Sequence, residues 1–174
     1  LEDAFKNVEI EDKFTDFWHL HGYRNIMLKM KELINNENKK IIISGWKREF
    51  SECKKELMSA KRRGVRCTIF SFTEVDEKLG KIVSYKLDED ELRKIWTPKI
   101  IMVVDHSHTL MGSAQSVEQS KAILTQNKAI SEIAMNHIIL DITLAGQRLG
   151  FDSAEYVKDI MRNPAEDLQS LLRS

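Results

Sequence analysis

The sequence predicts an α/β domain in which a mixed β-sheet carries helices on both faces and is followed by a helical tail. Three observations predict it. An apolar strand, an amphipathic helix and a second strand follow one another between residues 41 and 72. Two further apolar segments flank a tight turn at Asp105, and apolar residues keep a helical period over 122–149. Strand–helix–strand units pair their strands in parallel through a right-handed crossover.

The amino-terminal elements are predicted from spacing and breakers. Residues 1–21 mix charged and aromatic side chains, and we expect a helix or connector there, ended by Gly22. Apolar residues between Ile26 and Ile34 keep helical spacing. The continuous apolar run from Ile41 to Ile43 is typical of a strand that is buried on both faces.

The middle of the chain continues this alternation. One helix has apolar residues on its inner face at Phe50, Cys53, Leu57 and Ala60. Gly64 stands where a left-handed cap is expected. Val65 to Phe72 is predicted to be a strand, Lys81 to Leu87 a short third strand, and Asp88 to Glu91 the start of an acidic loop.

The carboxyl-terminal elements complete the predicted domain of residues 22–150. Ile100 to Asp105 and Thr109 to Gly112 are expected to be two strands joined by a turn. One helix is predicted over 122–149, closed by Gly150. The helical tail is assigned to residues 151–174, where Ser153 and Asn163-Pro164 open two short helices.

Composition indicates one globular domain without an overall charge. Its 42% hydrophobic and 31% charged residues are ordinary for a water-soluble protein. Lys and Arg total 27, as do Asp and Glu, so no basic field is available to hold nucleic acid. No apolar run approaches about 20 residues, and no secretory signal is seen. We therefore expect a cytoplasmic protein with no membrane partner, in which Cys53 and Cys67 stay reduced.

One stretch resembles the signature of the phospholipase D superfamily. That signature reads His-x-Lys, four residues, Asp, six residues, Gly-Ser-x-Asn. In this chain Asp105, Gly112 and Ser113 fall in register with it, after an apolar strand. The resemblance implies a phospholipase-D-like mixed sheet flanked by helices.

The catalytic half of the signature is replaced. Pro98 stands at the histidine position, Ile100 at the lysine position and Gln115 at the final asparagine. Proline cannot act as a nucleophile and isoleucine cannot neutralise a phosphate. We therefore expect no enzyme activity, and assign no catalytic residue, metal or cofactor.

Three collinear blocks also resemble the effector portion of TrmB-type transcriptional regulators. They run from Gly22 to Trp46, from Glu56 to Arg66 and from Val103 to Ser113. In that family a winged helix at the amino end binds DNA, so the resemblance implies a DNA-binding domain before Leu1. Because active phospholipase-D-like enzymes bring two signature copies together, the single copy here implies a homodimer. A sugar ligand is not carried over, since the β-rich carboxyl-terminal domain of some members is absent.

The candidate ligand-binding residues lie near strand ends or on the long helix. They are Trp46, Asp105, Ser113, Gln115 and His137. Each has a structural alternative. Trp46 suits the edge of a core as well as ligand stacking. Asp105 suits a turn cap that accepts amide hydrogens near His106 and His108. Ser113 suits a cap beside Gly112, which would allow a close strand approach.

Two pairs of titratable residues have open roles. His106 and His108 would share one side of an extended segment, but a third metal ligand is missing, so a solvated turn is favoured over a metal site. His137 and Asp141 lie four residues apart on the predicted helix. They form either a buried hydrogen-bonded pair or part of a pocket lining that faces Ser113.

These observations favour a non-catalytic domain that senses a small polar metabolite and dimerises within a transcriptional regulator. Two alternatives stay open: a phosphodiesterase or nuclease of the phospholipase D superfamily, and a purely structural dimerisation module. The effector, the regulated genes and the direction of regulation are left undetermined by the sequence.

Overall fold

A seven-stranded mixed sheet forms the centre of the computed structural model, which describes residues 17–36, 39–115 and 118–161. Its strands are β1 (Phe17–His21), β2 (Lys40–Ser44), β3 (Arg66–Thr73), β4 (Lys81–Leu87), β5 (Lys99–Val104), β6 (His108–Ser113) and β7 (Lys121–Thr125). The spatial order is β1-β7-β6-β5-β2-β3-β4. Strands β2, β3 and β4 are parallel, whereas every other neighbouring pair is antiparallel.

Helices cover both faces of this sheet, as the sequence predicts. The helices are α1 (Tyr23–Asn36), α2 (Lys47–Glu52), α3 (Lys54–Arg62), α4 (Glu89–Ile95), α5 (Lys128–Leu149) and α6 (Ala154–Ile160). Ile41 and Ile43 pack with buried residues of α1 and α3 on one face, and Ile42 packs with those of α5 and α6 on the other. The apolar run in β2 is thus explained by burial on both sides, and the predicted fold class is confirmed.

The predicted strand–helix–strand unit is confirmed. Strand β2 pairs in parallel with β3, with Ile42 opposite Thr68. Helices α2 and α3 connect the two strands, and Gly64 follows α3 with a φ of 85°. Cys53 and Cys67 are both free and buried on this face.

The sequence prediction is wrong for three elements. Residues Phe17–His21 form strand β1, whose partners in β7 are 100 or more residues away along the chain, so no local period indicates this strand. Lys121–Thr125 forms β7 rather than the start of the long helix, because a short apolar run fits a strand or a helix equally well. Asp88 to Glu91 does not open a loop: the Asp88 carboxylate accepts the Glu91 amide at 3.0 Å and caps α4.

Helix α5 begins and ends at recognisable caps. The Asn127 side chain accepts the amides of Ala129 and Ile130 at 3.0 and 3.2 Å, and Gly150 closes the helix in the left-handed conformation. Among the described helices, α5 is long and apolar enough to span a membrane, which the sequence does not predict. The core helix of a water-soluble protein meets the same criteria of length and composition. Helix α6 follows Ser153 as predicted, whereas the helix predicted at Asn163 lies outside the described residues.

Candidate functional site

The signature residues lie at opposite ends of the β5–β6 hairpin. Strand β5 begins at Lys99, which pairs with Ser113 at the end of β6. Asp105 follows the other end of β5, six residues away along the strand. At about 3.3 Å per residue this separates Asp105 from Ser113 by about 20 Å. Asp105 and Ser113, both predicted to bind a ligand, are therefore not brought together by the hairpin.

Asp105 joins two strands. Its carboxylate accepts the Lys40 amide at 2.8 Å, and its own amide donates to the Lys40 carbonyl at 3.0 Å. The sequence predicts that Asp105 accepts amide hydrogens within the turn. The amide that it accepts belongs instead to β2. Asp105 and the next residue, His106, have φ values of 47° and 59°, which aspartate tolerates better than most residues. This end of the hairpin has a structural role.

His108 and Lys40 lie at the turn end of the hairpin, near Asp105. His108 contacts the Ser107 hydroxyl at 3.0 Å and the Gln126 amide at 2.7 Å. Lys40 is nearly buried, and burial lowers the pKa of its ammonium group, with the positive Arg66 adding to the effect. His108 and Lys40 both lie at the turn end of the hairpin. They therefore cannot replace a His-x-Lys pair at the other end.

The positions of that pair are filled by groups that serve the core. The Pro98 carbonyl accepts the Ala114 amide at 3.0 Å and so ties the start of β5 to the segment after β6. Ile100 is 1% exposed and packs in the core between the sheet and α1. No nucleophile and no phosphate-neutralising group is present at these two positions.

Ser113 and Gln115 share this end of the sheet. The Ser113 hydroxyl accepts the Lys121 amide at 3.2 Å, and the Gln115 side chain is exposed. Gly112 lies so close to β7 that a Cβ atom would stand 2.2 Å from the Lys121 carbonyl oxygen. The close strand approach that was one interpretation of Gly112 is therefore confirmed.

Trp46 is buried, whereas His137 is exposed. Trp46 is 4% exposed, which leaves no ring face for a ligand, and the Arg93 guanidinium lies 5.4 Å from its ring centroid. His137 is exposed on α5, with its Nε2 3.5 Å from an Asp141 carboxylate oxygen. Burial raises the pKa of Asp141, and His137 opposes that shift. The convergence of Trp46, Ser113 and His137 on one ligand stays a prediction.

A polar cluster that sequence reasoning missed supports the Ser113 end of the hairpin. It consists of Tyr23, Arg48, Glu49 and the Ala114 carbonyl. The Arg48 guanidinium lies 4.0 Å from the Tyr23 ring centroid, donates to Glu49 at 3.0 Å and donates a second hydrogen bond to Ala114. It therefore connects α1 and α2 directly to the segment between Ser113 and Gln115.

Glu49 is the buried member of this cluster. Its side chain is 1% exposed and accepts the Trp46 amide at 3.2 Å, three residues before it at the start of α2. Burial raises the pKa of Glu49, and the Arg48 charge opposes the shift. Burial and then the Glu49 charge raise the pKa of Tyr23 well above its usual value. A glutamate at the third position of a helix is a sequence signal for such a cap.

Within residues 17–36, 39–115 and 118–161, no three His, Cys, Asp or Glu side chains come together as a metal site. His106 and His108 therefore have no third protein ligand among these residues. The fold is an α/β domain of the phospholipase-D-like type, with Pro98 and Ile100 at the two positions where the resemblance predicts histidine and lysine.

Comparisons agree with that class. Residues 16–141 match the family described as "Transcriptional regulator TrmB, EBD N-terminal subdomain". The chain belongs to this family of regulators, as the N-terminal part of the effector-binding domain. It is 22% identical over 129 residues to the uncharacterized protein YrhO of Bacillus subtilis, covering 74% of this chain and 47% of YrhO.

Two solved structures, each with a TM-score of 0.50, share the fold. TrmBL2, described as an archaeal chromatin protein with a novel mode of DNA binding, has a TM-score of 0.50 at 16% identity, covering 71% of this chain and 51% of that one. NucT from Helicobacter pylori has a TM-score of 0.50 at 11% identity, with 70% and 93% covered. Nuc of Salmonella typhimurium, a phospholipase D family member, scores 0.49 at 16% identity, with 70% and 91% covered. The chain spans about half the length of YrhO and TrmBL2.

Proposed function

We propose that this domain senses a small metabolite, dimerises and does not catalyse, as part of a cytoplasmic transcriptional regulator. One observation carries the proposal: Pro98 and Ile100 occupy the two catalytic positions, and Ile100 is sequestered in the core. The surrounding hairpin is intact, with Lys99 opposite Ser113. A scaffold kept without its reacting groups suits binding better than turnover.

DNA binding is assigned to a domain outside this chain. The 27 basic and 27 acidic residues leave the domain without the overall positive charge that a DNA-binding surface needs. TrmBL2 is described as binding DNA, and this chain matches only about half of it. We propose that an amino-terminal winged helix, as in TrmB-type regulators, makes the DNA contacts.

Regulation requires that the effector distinguishes two states. We propose a homodimer in which the ligand biases the relative placement of the two DNA-binding domains. A ligand with equal affinity for both arrangements would shift nothing. The Ser113 end of the hairpin is a suitable control point, because Arg48 links the adjoining Ala114 carbonyl to α2 and, through Tyr23, to α1.

Thermal denaturation with a panel of sugars, nucleotides and amino acids tests this function. A ligand at 100 times its dissociation constant should stabilise the domain by about 2.7 kcal/mol, with a midpoint that rises with ligand concentration. Ser113→Ala should reduce the shift, and Ser59→Ala, a change on α3, should not. A flat response to the whole panel would contradict sensing and favour a structural dimerisation module.

A further inference from the structure

The sheet has an uncovered face beside the start of α5. A cavity of about 460 Å³ opens there over strands β5, β6, β7 and β1. The Thr109 hydroxyl lies 2.7 Å from the Ser131 hydroxyl, so α5 begins directly above the neighbouring residues of β6. The residues that line the cavity all belong to the strands, and none belongs to α5. The volume lies within the range of about 300–1,000 Å³ that small-molecule sites occupy.

Two rows of side chains form the floor of this cavity. Pairing across the strands places Ile101 beside Met111, and Met111 beside Ile123. All three side chains are half-buried, and Ile101 and Met111 pack against the core beneath α5. This apolar row supplies a surface for the hydrocarbon part of a ligand.

The second row is basic. Lys99 pairs with Ser113, whose hydroxyl accepts the Lys121 amide from the next strand at 3.2 Å. Strands are about 4.8 Å apart, so the two lysines flank Ser113 with about 10 Å between their Cα atoms. Both lysines are exposed and can swing over the serine. The Ser113 hydroxyl keeps its own hydrogen, which it can donate to an anion.

The charge around the cavity has one sign. Its titratable lining residues are Lys99, Lys121, His19 and His21, and no carboxylate is among them. No described carboxylate lies within 4.0 Å of either lysine. The lining therefore carries basic side chains without a compensating carboxylate, which favours an anion.

We propose that this face binds a small amphipathic anion. Its anionic head lies on Ser113 between Lys99 and Lys121, and its apolar body lies along Ile101, Met111 and Ile123. Ile100, at the position of the lysine in the signature, packs in the core and also borders this cavity, but it carries no charge for the anion. The inference rests on the proposed sensing function and gives the effector a chemical class.

Isothermal titration calorimetry of the full chain tests the site with octanoate and octyl phosphate, which carry the two common anionic heads. We expect at least one of them to bind, and 1-octanol and inorganic phosphate to bind at least about tenfold more weakly, since each lacks one half of the ligand. The tighter of the two amphiphiles identifies the head group.

Variants assign the binding to this face. Lys99→Gln combined with Lys121→Gln should weaken amphiphile binding at least about tenfold. The matched control Lys55→Gln with Lys158→Gln changes two exposed lysines of α3 and α6 and should leave it unchanged. Equal binding to both double variants, or equal binding of 1-octanol and the amphiphiles, overturns the proposal.

Two further outcomes separate this site from the general function. If neither amphiphile binds but a sugar, nucleotide or amino acid stabilises the chain, this proposal fails and the sensing function stands. If nothing binds, both fail. A last outcome is that the unsubstituted chain binds no amphiphile but forms a dimer that Lys121→Glu dissociates. This face would then be the interface with a second copy of the chain, which also overturns the proposal.

Discussion

Replacing Gly112 with alanine is expected to cost about 3 kcal/mol or more of folding free energy, because the new methyl group has no space. Its Cβ would stand 2.2 Å from the Lys121 carbonyl oxygen and 2.5 Å from the Ala122 Cα. Both are backbone atoms of the paired strand β7, which cannot move aside as a side chain end can. The substitution therefore weakens the pairing of β6 with β7. Urea denaturation measures the resulting loss of folding free energy.

Gly45→Ala is the matched control. Gly45 is buried, but a Cβ there would meet the Phe50 ring at 3.5 Å, which is ordinary contact. We expect a change of less than about 1 kcal/mol for this variant. Similar stability losses for Gly112→Ala and Gly45→Ala would show that the β6–β7 strands are not as close as described.

Loss of the Glu49 carboxylate is expected to produce the second large effect. Glu49→Ala should lower the free energy of unfolding by about 2–3 kcal/mol, because it removes the acceptor of the Trp46 amide and the partner of Arg48. The Trp46 amide would then lie in a buried site without that acceptor. The Arg48 side chain is 33% exposed, so water compensates in part for the loss of its Glu49 partner.

Two variants control this prediction. Glu52→Ala removes an acid from the same helix, but its side chain is 51% exposed and 3.4 Å from Lys31, so we expect a change within about 0.5 kcal/mol. Glu49→Gln keeps an oxygen for the Trp46 amide and should lose less than Glu49→Ala. An equal effect of Glu49→Ala and Glu52→Ala would mean that the polar cluster does not support the hairpin.

The fold was predictable where local pattern and burial agree. Ile41 to Ile43 form a continuous apolar run because β2 is buried on both faces. Helix α1 follows the stripe from Ile26 to Ile34, since only one of its faces meets the sheet. Strands β1 and β7 were missed because they stabilise each other across the chain, and neither carries a period long enough to identify it alone.

The site was predictable in its parts but not in its arrangement. A hairpin that turns at Asp105 brings Lys99 opposite Ser113 and carries the aspartate to the far end, a consequence of pairing that linear spacing does not show. Burial of Trp46 and exposure of His137 depend on how α2 and α5 pack. The roles of Lys99 and Lys121 needed the three-strand register.

Hydrolysis of bis(p-nitrophenyl) phosphate by the full chain tests the central claim most directly. The account predicts no turnover above the buffer rate, since residues 98 and 100 carry neither a nucleophile nor a cation. Measurable turnover by the full chain, whichever histidine it depends on, would contradict it and assign the chain to the phosphodiesterases.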